Sequence, residues 1–571
     1  MRYVIVAEKP SVARRIREAI KADNILVTSV RGHVLDSEFP EGYGWRECRP
    51  GDLFKVREFR DEVRDHRSLR ELKKAFRGAG VLVIATDNDS EGELIGAEIL
   101  KIWRRVNGNR PYRRMRFNST DYRELRRAWR NLEETLNWRW VSKALFRQRF
   151  DLIAGAAFTR LLTLTARRYD RNVKLISWGP CQSPTLWFIV KRERERLNFK
   201  PKPFWTIRAI LESDKGERFE AESDKFWDKG RAERIYAKAS KAGEAVVKSF
   251  KESIKRISRP TPLRTDDLLR DMARLTGLSA AKILQVAEDL YAEGYISYPR
   301  TETNRYRPGF DYGQPLKAAC KGLGVDVEGD PKPRQGRLDD GAHTPIYPIR
   351  PFMGGGIARR LWEYVARRFL ANAFYPDARR VERRAETRIG ELTLRSHGAQ
   401  TVKTGFYEIY PYFRPKDDPI PRLRVGERLR IVSISLHEGK TKPPNRLTEA
   451  ELLKLMEQNG IGTDATRATY PKLIIDRGYA IKERKVFKPT ELGMRLIELL
   501  EDVDERLVTP ETRRRVEELM AEIETGKISY DEALEKAVSE YLPLYQRLED
   551  GLQRGSSEIA ESTRAAYSAY P

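Results

Sequence analysis

A β-rich stretch that breaks off, gives way to a long helical passage and then resumes is what most constrains the fold of this chain. FWTIRAIL (204–211) and EAVVKSF (244–250) alternate apolar and polar residues, the period of strands with one buried face. The same alternation returns as ETRIGELTLRS (386–396) and GERLRIVSISL (426–436). Two halves of one β-domain must then flank an inserted helical domain at roughly 260–380, with a Gly/Pro-rich loop at 307–341.

Ahead of this the chain alternates strand and helix. RYVIVAEK (2–9) and GVLVIATD (80–87) are short apolar runs, each followed by a helical pattern, SVARRIREAI and GELIGAEILKIW. Strands with helical crossovers imply a mostly parallel, buried sheet. The expected organisation is an α/β domain at 1–137 and a helical domain begun at 138–200 and completed at 441–550. A β-domain falls at 201–259 and 386–440, the inserted domain at 260–385, and a flexible tail at 551–571. Residues 260–295 also align without gaps to 444–479, with eight identities that include Leu268/Leu452, Met272/Met456, Gly294/Gly478 and Tyr295/Tyr479. Each copy reads helix, turn, helix, Gly-Tyr, strand, a helix-turn-helix with a wing. Only the first copy carries a tyrosine, Tyr298, at the strand position that the second fills with Lys482.

Lys and Arg number 109 against 84 Asp and Glu, a net charge of +25, which favours a polyanionic partner and equally fits a basic ribosome-associated factor. The three cysteines, Cys48, Cys181 and Cys320, are too far apart for a disulfide framework or a Cys-x-x-Cys zinc site. The opening MRYVIVAEKP reads as a strand and not a signal peptide, and no apolar run reaches membrane-span length, so a soluble cytoplasmic protein is expected. No GxxxxGK[ST] sequence occurs, so ATP is not implied.

Three segments carry chemistry. The second strand runs into Asp87-Asn88-Asp89-Ser90-Glu91, whose carboxylates alternate by two and can converge as a Mg²⁺ site at a strand end. Glu8 and Lys9 close the first strand; in a parallel sheet they open on the same edge, as a general acid or base and a phosphate-neutralising cation. In GYISYPRTETN (294–304), Tyr298 lies two residues before Arg300, a guanidinium able to stabilise a phenolate and hold a phosphate. His343, in GAHTPIYPI, suits phosphate binding or proton handling. Each motif alone also fits a structural role: a core tyrosine, a solvated acidic cap, a surface histidine.

Taken together, VAEKPSVARRI, ATDNDSEGE and GYISYPRTETN resemble the type IA DNA topoisomerases, most of all the archaeal-type topoisomerase III branch. RFDLIAG (149–155), SWGPCQSPTL (177–186), AHTPIYP (342–348) and the segment 443–474 resemble further motifs of that family, in the right order. The resemblance implies a multidomain α/β plus α plus β fold: a Toprim domain, helix-turn-helix-containing helical domains and a β-arch, closed into a ring with a central hole. It implies an ATP-independent enzyme that cuts one strand through a 5′-phosphotyrosine, passes another and reseals, relaxing negative supercoils or decatenating. Tyr298 would be the nucleophile, Arg300 and Lys9 would hold the scissile phosphate, and Glu8 would protonate the leaving 3′ oxygen. Asp87, Asp89 and Glu91 would hold Mg²⁺; Arg147 and His343 would contact DNA near the break; Asp151, Ser177, Gln182 and Thr466 would line the single-strand path. The implied partners are single-stranded and negatively supercoiled DNA, bound by a monomer associated with the nucleoid, with a helicase as a candidate associate. Three departures each remove a positive group: Ser90 and Pro180 stand where the family has arginine, and Gln148 follows Arg147 where it has a basic pair, leaving Arg149 as the nearest substitute. A Toprim nuclease that never reseals, or a ring-shaped single-strand binder, is the competing expectation.

Overall fold

A computed structural model describes residues 2–168, 171–463 and 466–554; the tail expected to be flexible falls largely outside them. The N-terminal domain is a four-stranded parallel sheet. Its strands are β1 (Tyr3–Ala7), β2 (Ile25–Ser29), β3 (Val81–Ala85) and β4 (Tyr112–Arg114), in the order β2-β1-β3-β4. Helix α1 (Pro10–Ala19) follows β1, and α2 (Ser90–Asn107) follows β3. The central strands are apolar throughout because both of their faces are covered. Val4, Val6, Leu82 and Ile84 face a core shared with α2, while Ile5, Ala7, Val83 and Ala85 face the inserted domain. From β1 the chain moves outward on one side to β2, and from β3 outward on the other to β4. The carboxyl ends of β1 and β3 thus flank the switch point, where open α/β sheets place their ligands.

Next come α3 (Trp138–Arg167) and α4 (Gln182–Leu197). The β-domain then begins with β5 (Pro203–Glu212), β6 (Arg218–Ser223) and β7 (Glu244–Ile257). The inserted domain carries α5 (Thr265–Thr276) and α6 (Ala280–Ala292), and its glycine- and proline-rich loop includes a helix at Gly313–Leu323. After it, β8 (Ala378–Ile389), β9 (Leu392–Lys403) and β10 (Arg428–Lys440) close a six-stranded barrel in the order β8-β9-β6-β5-β10-β7. The interrupted pattern is therefore one closed structure. Its second half starts at Ala378, ahead of the boundary expected at 386, and Ile257 pairs directly with Ala378. Closure leaves the barrel without an open edge.

The second helical unit comprises α7 (Glu449–Gln458), α8 (Tyr470–Asp476) and the hairpin β11 (Ala480–Glu483) with β12 (Val486–Pro489). It shares one core with α3 and α4. The two copies of the repeat meet through α5 and α7. Glu457 receives both Arg264 and Arg270, and Arg467 pairs with Asp266. Glu449 accepts the Ala280 N–H at 2.9 Å and Lys482 Nζ at 2.8 Å. Among the described residues no helix is long and apolar enough to cross a membrane.

Candidate active site

The site forms where the switch point of the sheet meets the inserted domain. Ala7 and Ala85 are register partners, so the residues that follow them, Glu8-Lys9 and Thr86-Asp87, emerge side by side. The Asp87 N–H donates to Glu8 Oε2 at 3.1 Å, and Lys9 Nζ reaches Asp87 Oδ2 at 3.0 Å. Asp89 is the N-cap of α2, accepting the Gly92 N–H at 2.7 Å. Glycine is required at 92, since a Cβ there would lie 2.1 Å from the Asp87 carbonyl oxygen.

The inserted domain supplies the other half. Gly294 adopts φ +79 to turn the chain out of α6, and a bond from the Tyr298 N–H to the Asn118 carbonyl (2.9 Å) docks the following segment on the sheet domain. The Tyr298 hydroxyl then donates to Asp89 Oδ2 at 2.5 Å. Tyr291, one turn of α6 before Gly294, donates to Asp87 Oδ1 at 3.2 Å and sets its ring edge-on to Tyr298 at 5.1 Å. The His343 ring lies 5.2 Å from that of Tyr298. Its Nδ1 faces Asp340 Oδ2 at 2.8 Å and its Nε2 the Asn88 carbonyl oxygen at 2.5 Å. The ring thus bridges the inserted domain at Asp340 and the sheet domain at Asn88. Arg300 donates through Nε to Glu288 at 2.8 Å. A phosphate must therefore draw that guanidinium away from a carboxylate.

Burial first, and the Asp87 carboxylate second, push Glu8 up to about 8, with Lys9 pulling the other way. Burial opposes the Lys9 charge, but Asp87 and Glu8 hold its pKa above the ordinary lysine value. Burial, Asp89 and Asp87 raise Tyr298 well above an ordinary phenol, with Arg300 opposing. In this state the tyrosine keeps its proton.

The three carboxylates of the acidic motif do not converge. Glu91 turns to Arg147 (2.5 Å) and to His33 Nε2 (3.3 Å). Burial opposes its charge, yet Arg147 and His33 bring it down to about 2. Among the described residues no three His, Cys, Asp or Glu side chains are grouped to hold a metal ion. Asp87 and Asp89 remain as paired hard-oxygen donors on either side of Asn88, with Glu8 adjoining. That set suits Mg²⁺, which takes one or two carboxylates and completes its shell with phosphate and water.

The other expected DNA contacts are occupied within the protein. Arg147 is on Glu91, and Asp151 accepts the wholly buried Arg513 at 2.8 Å. Gln182 Nε2 donates to the Ser177 carbonyl at 2.9 Å, and the Ser177 N–H donates to the Tyr479 hydroxyl at 2.7 Å, so both side chains are buried framework. The Thr466 hydroxyl accepts the Thr463 N–H at 3.1 Å. Arg149 is held between the Phe59 and Tyr530 rings, and Gln148 bonds Asp36 and Ser37. Near Ser90 it is Arg116 that supplies a cation, donating to Asn88 Oδ1 at 2.7 Å.

Sequence reasoning missed Tyr291, Glu288, Asp340 and His33. His33 had a readable signal: it follows the end of β2, on the edge where Glu8 and Asp87 emerge. It bridges Glu91 and Glu98, and these two carboxylates, outweighing burial, push it up to about 10.

Comparison with known proteins agrees with this geometry. Residues 3–120 match the model of the Toprim domain, and residues 135–535 match a family described as DNA topoisomerase. The chain is thus a DNA topoisomerase built on a Toprim sheet. It is 32% identical to DNA topoisomerase 3 of Candidozyma auris over 96% of this chain and 93% of that one. It is likewise 32% identical to DNA topoisomerase 1 of Pyrococcus horikoshii over 94% and 82%. Topoisomerase I of Thermotoga maritima superposes with a TM-score of 0.76 at 25% identity, over 95% of this chain and 90% of that one. The chain belongs to the type IA DNA topoisomerases, in their topoisomerase III-like branch, with the multidomain ring-like fold of that family.

Proposed function

We propose that Tyr298 attacks a DNA backbone phosphate and that the enzyme holds the cut strand as a 5′-phosphotyrosine ester while another strand passes, then reseals it. The Tyr298 Oη–P bond forms as the P–O3′ bond breaks. The phenolic proton has Asp89 Oδ2 as its nearest acceptor. The 3′ oxygen takes a proton from Glu8, which at pH 7 still carries one. Resealing runs the same transfers backward, and the ester conserves the energy of the broken bond, so no ATP is consumed. Lys9, Arg300 and His343 hold the phosphate.

Asp87 and Asp89 would hold Mg²⁺, and Glu91 would join them only by releasing Arg147. The ion would supply positive charge for the phosphate and the 3′ oxygen during rejoining. Single-stranded and negatively supercoiled DNA are the substrates in this reading, met by a monomer in the cytoplasm, with a helicase as a source of single strands.

The observation that carries the reading is the Tyr298–Asp89 hydrogen bond, which joins two motifs 209 residues apart. The test is a Mg²⁺ titration of plasmid relaxation with denaturing traps for the adduct. Wild type gives a covalent protein–DNA species and relaxed plasmid; Tyr298→Phe gives neither. A variant that relaxes plasmid as well as wild type would refute the mechanism. Nicked ends without an adduct would support a hydrolytic Toprim enzyme instead.

A further inference from the structure

One side of α3 is partly exposed along Gln148, Leu152, Gly155, Ala156 and Thr159, with Gln148 bonded to Asp36 and Ser37 and Thr159 to the Trp178 backbone. At Gly155 an added Cβ would meet nothing within 4 Å, so the face is clear at its middle. The acidic motif marks one end, where Arg147 meets Glu91. At the other end stands Trp45.

Trp45 is 40% exposed and takes no part in the apolar clusters. A turn fixes it: the Gly44 N–H donates to Glu47 Oε2 at 2.9 Å and the Glu47 N–H to the Gly44 carbonyl at 3.2 Å. Two guanidiniums border its ring, Arg160 at 5.5 Å and Arg167 at 5.9 Å from the centroid. Arg160 is anchored to the Tyr43 carbonyl at 2.6 Å, and Arg167 to the Val173 carbonyl at 2.8 Å. Arg160 is buried and steadies the indole from within, whereas Arg167 is partly exposed and keeps its charge at the surface. An indole with a surface cation beside it suits a single strand: the ring for a base, the cation for an adjoining phosphate. From Arg147 to Arg160 the helix rises about 20 Å at ~1.5 Å per residue. A single strand stacked at ~3.4 Å per nucleotide covers that in about six nucleotides.

We propose that Trp45, with Arg167 beside it, is a base-stacking platform for single-stranded DNA at the far end of α3, about six nucleotides beyond Arg147. This rests on the reading of Tyr298 as the residue that cuts. It also meets a shortage noted in the sequence, since Gln148 and Pro180 leave the groove short of arginines and the platform adds hold further along the strand.

The test uses two oligonucleotides with the same cut site, one reaching about eight nucleotides to either side and the other about three. Trp45→Ala lowers affinity for the long strand about tenfold, the scale of one lost base stack. It leaves binding of the short strand, and the yield of covalent adduct on it, at the wild-type level. Trp45→Phe, which keeps an aromatic face, recovers most of the loss. Equal binding of the long strand by wild type and Trp45→Ala overturns the proposal, as does an equal loss on both lengths. If wild type forms no adduct on either strand, the cleavage reading fails instead, so the two failures are distinguishable.

Discussion

The two copies of the helical unit share their turns but differ in their wings and in the residue that begins the first helix, and only the first sets a tyrosine against the acidic motif. Both turn out of their second helix through a glycine with positive φ, +79 at Gly294 and +74 at Gly478. Both close the turn alike, with the Tyr295 N–H on the Leu290 carbonyl at 2.8 Å and the Tyr479 N–H on the Ile474 carbonyl at 3.0 Å. Both pin a wing strand two residues ahead of the first helix: Ile346 N–H to the Leu263 carbonyl, Phe487 N–H to the Leu447 carbonyl, each at 2.8 Å. In the second copy two residues, Arg484 and Lys485, close the wing. In the first copy residues 299–344 are spliced into the same wing, and they return His343 to the side of Tyr298.

The first helical residue differs to match. Thr265 places its hydroxyl on the Pro299 and Thr301 carbonyls, at 2.7 and 3.0 Å, and thereby fixes the backbone just beyond Tyr298. Glu449, at the corresponding place, instead grips the Lys482 side chain. One copy leaves its strand side chain free to cross an interface, and the other ties it down. A duplicated scaffold thus gains its contact with the acidic motif through the length of its wing and the residue beneath it, and not through a new fold.

The contrast can be broken in graded steps. Tyr298→Phe removes the adduct altogether, and adding Lys482→Tyr does not restore it, because position 482 faces Glu449 and not the Asp87 and Asp89 cluster; denaturing gels after Mg²⁺-dependent cleavage check both. Glu8→Gln slows single-turnover cleavage by about a hundredfold, the usual worth of a general acid. In wild type the acid form does the work, so cleavage holds below pH 7 and falls as pH rises through about 8, whereas the variant lacks that inflection. Thr265→Val leaves the backbone beyond Tyr298 unpinned, costs about 1–2 kcal/mol of local order and slows cleavage roughly tenfold, with adduct chemistry intact in a single-turnover assay. Glu457→Gln weakens the grip on Arg264 and Arg270, and hydrogen exchange across Thr265–Thr276 rises several-fold while cleavage of a short strand is unchanged. Smallest of all, Lys482→Ala leaves Glu449 with the Ala280 N–H and lowers thermal stability by about 1 kcal/mol with no change in adduct yield.

What was legible in the sequence was whatever short-range order fixes. The buried runs at β1 and β3 and the acidic turn after β3 announced a parallel sheet with Glu8 and Asp87 on one edge, and the alternating segments announced a divided β-domain. The Gly-Tyr turn announced the repeat. What stayed hidden depends on which distant groups face each other. Glu91 looked like a third metal ligand from its spacing, yet Arg147 and His33, each from another element, draw it off. Tyr291 carried no sign of a role in the sequence, and only the docking of α6 puts its hydroxyl on Asp87. Arg149 looked available until two rings enclosed it. The closed wing of the second copy could be read as a hairpin, but the opened wing of the first could not, because its strands are separated by residues 299–344.

The pairing of Ile257 with Ala378 has a mechanical side. The whole tyrosine-bearing domain hangs from two neighbouring strand ends of a closed barrel, tied together by Asp377, which takes the Arg259 N–H at 2.9 Å and also pairs with Arg256. A body attached by two adjacent threads cannot translate freely; it swings about the point where they meet. The rim of β7 and β8 is therefore the domain's covalent pivot, with the Glu457 and Arg467 pairs to the second helical unit as a second, breakable tether, so a swing that parts Tyr298 from Asp89 would turn about that rim once those pairs let go. Softening that rim would alter how far Tyr298 and Asp89 can part without touching either residue.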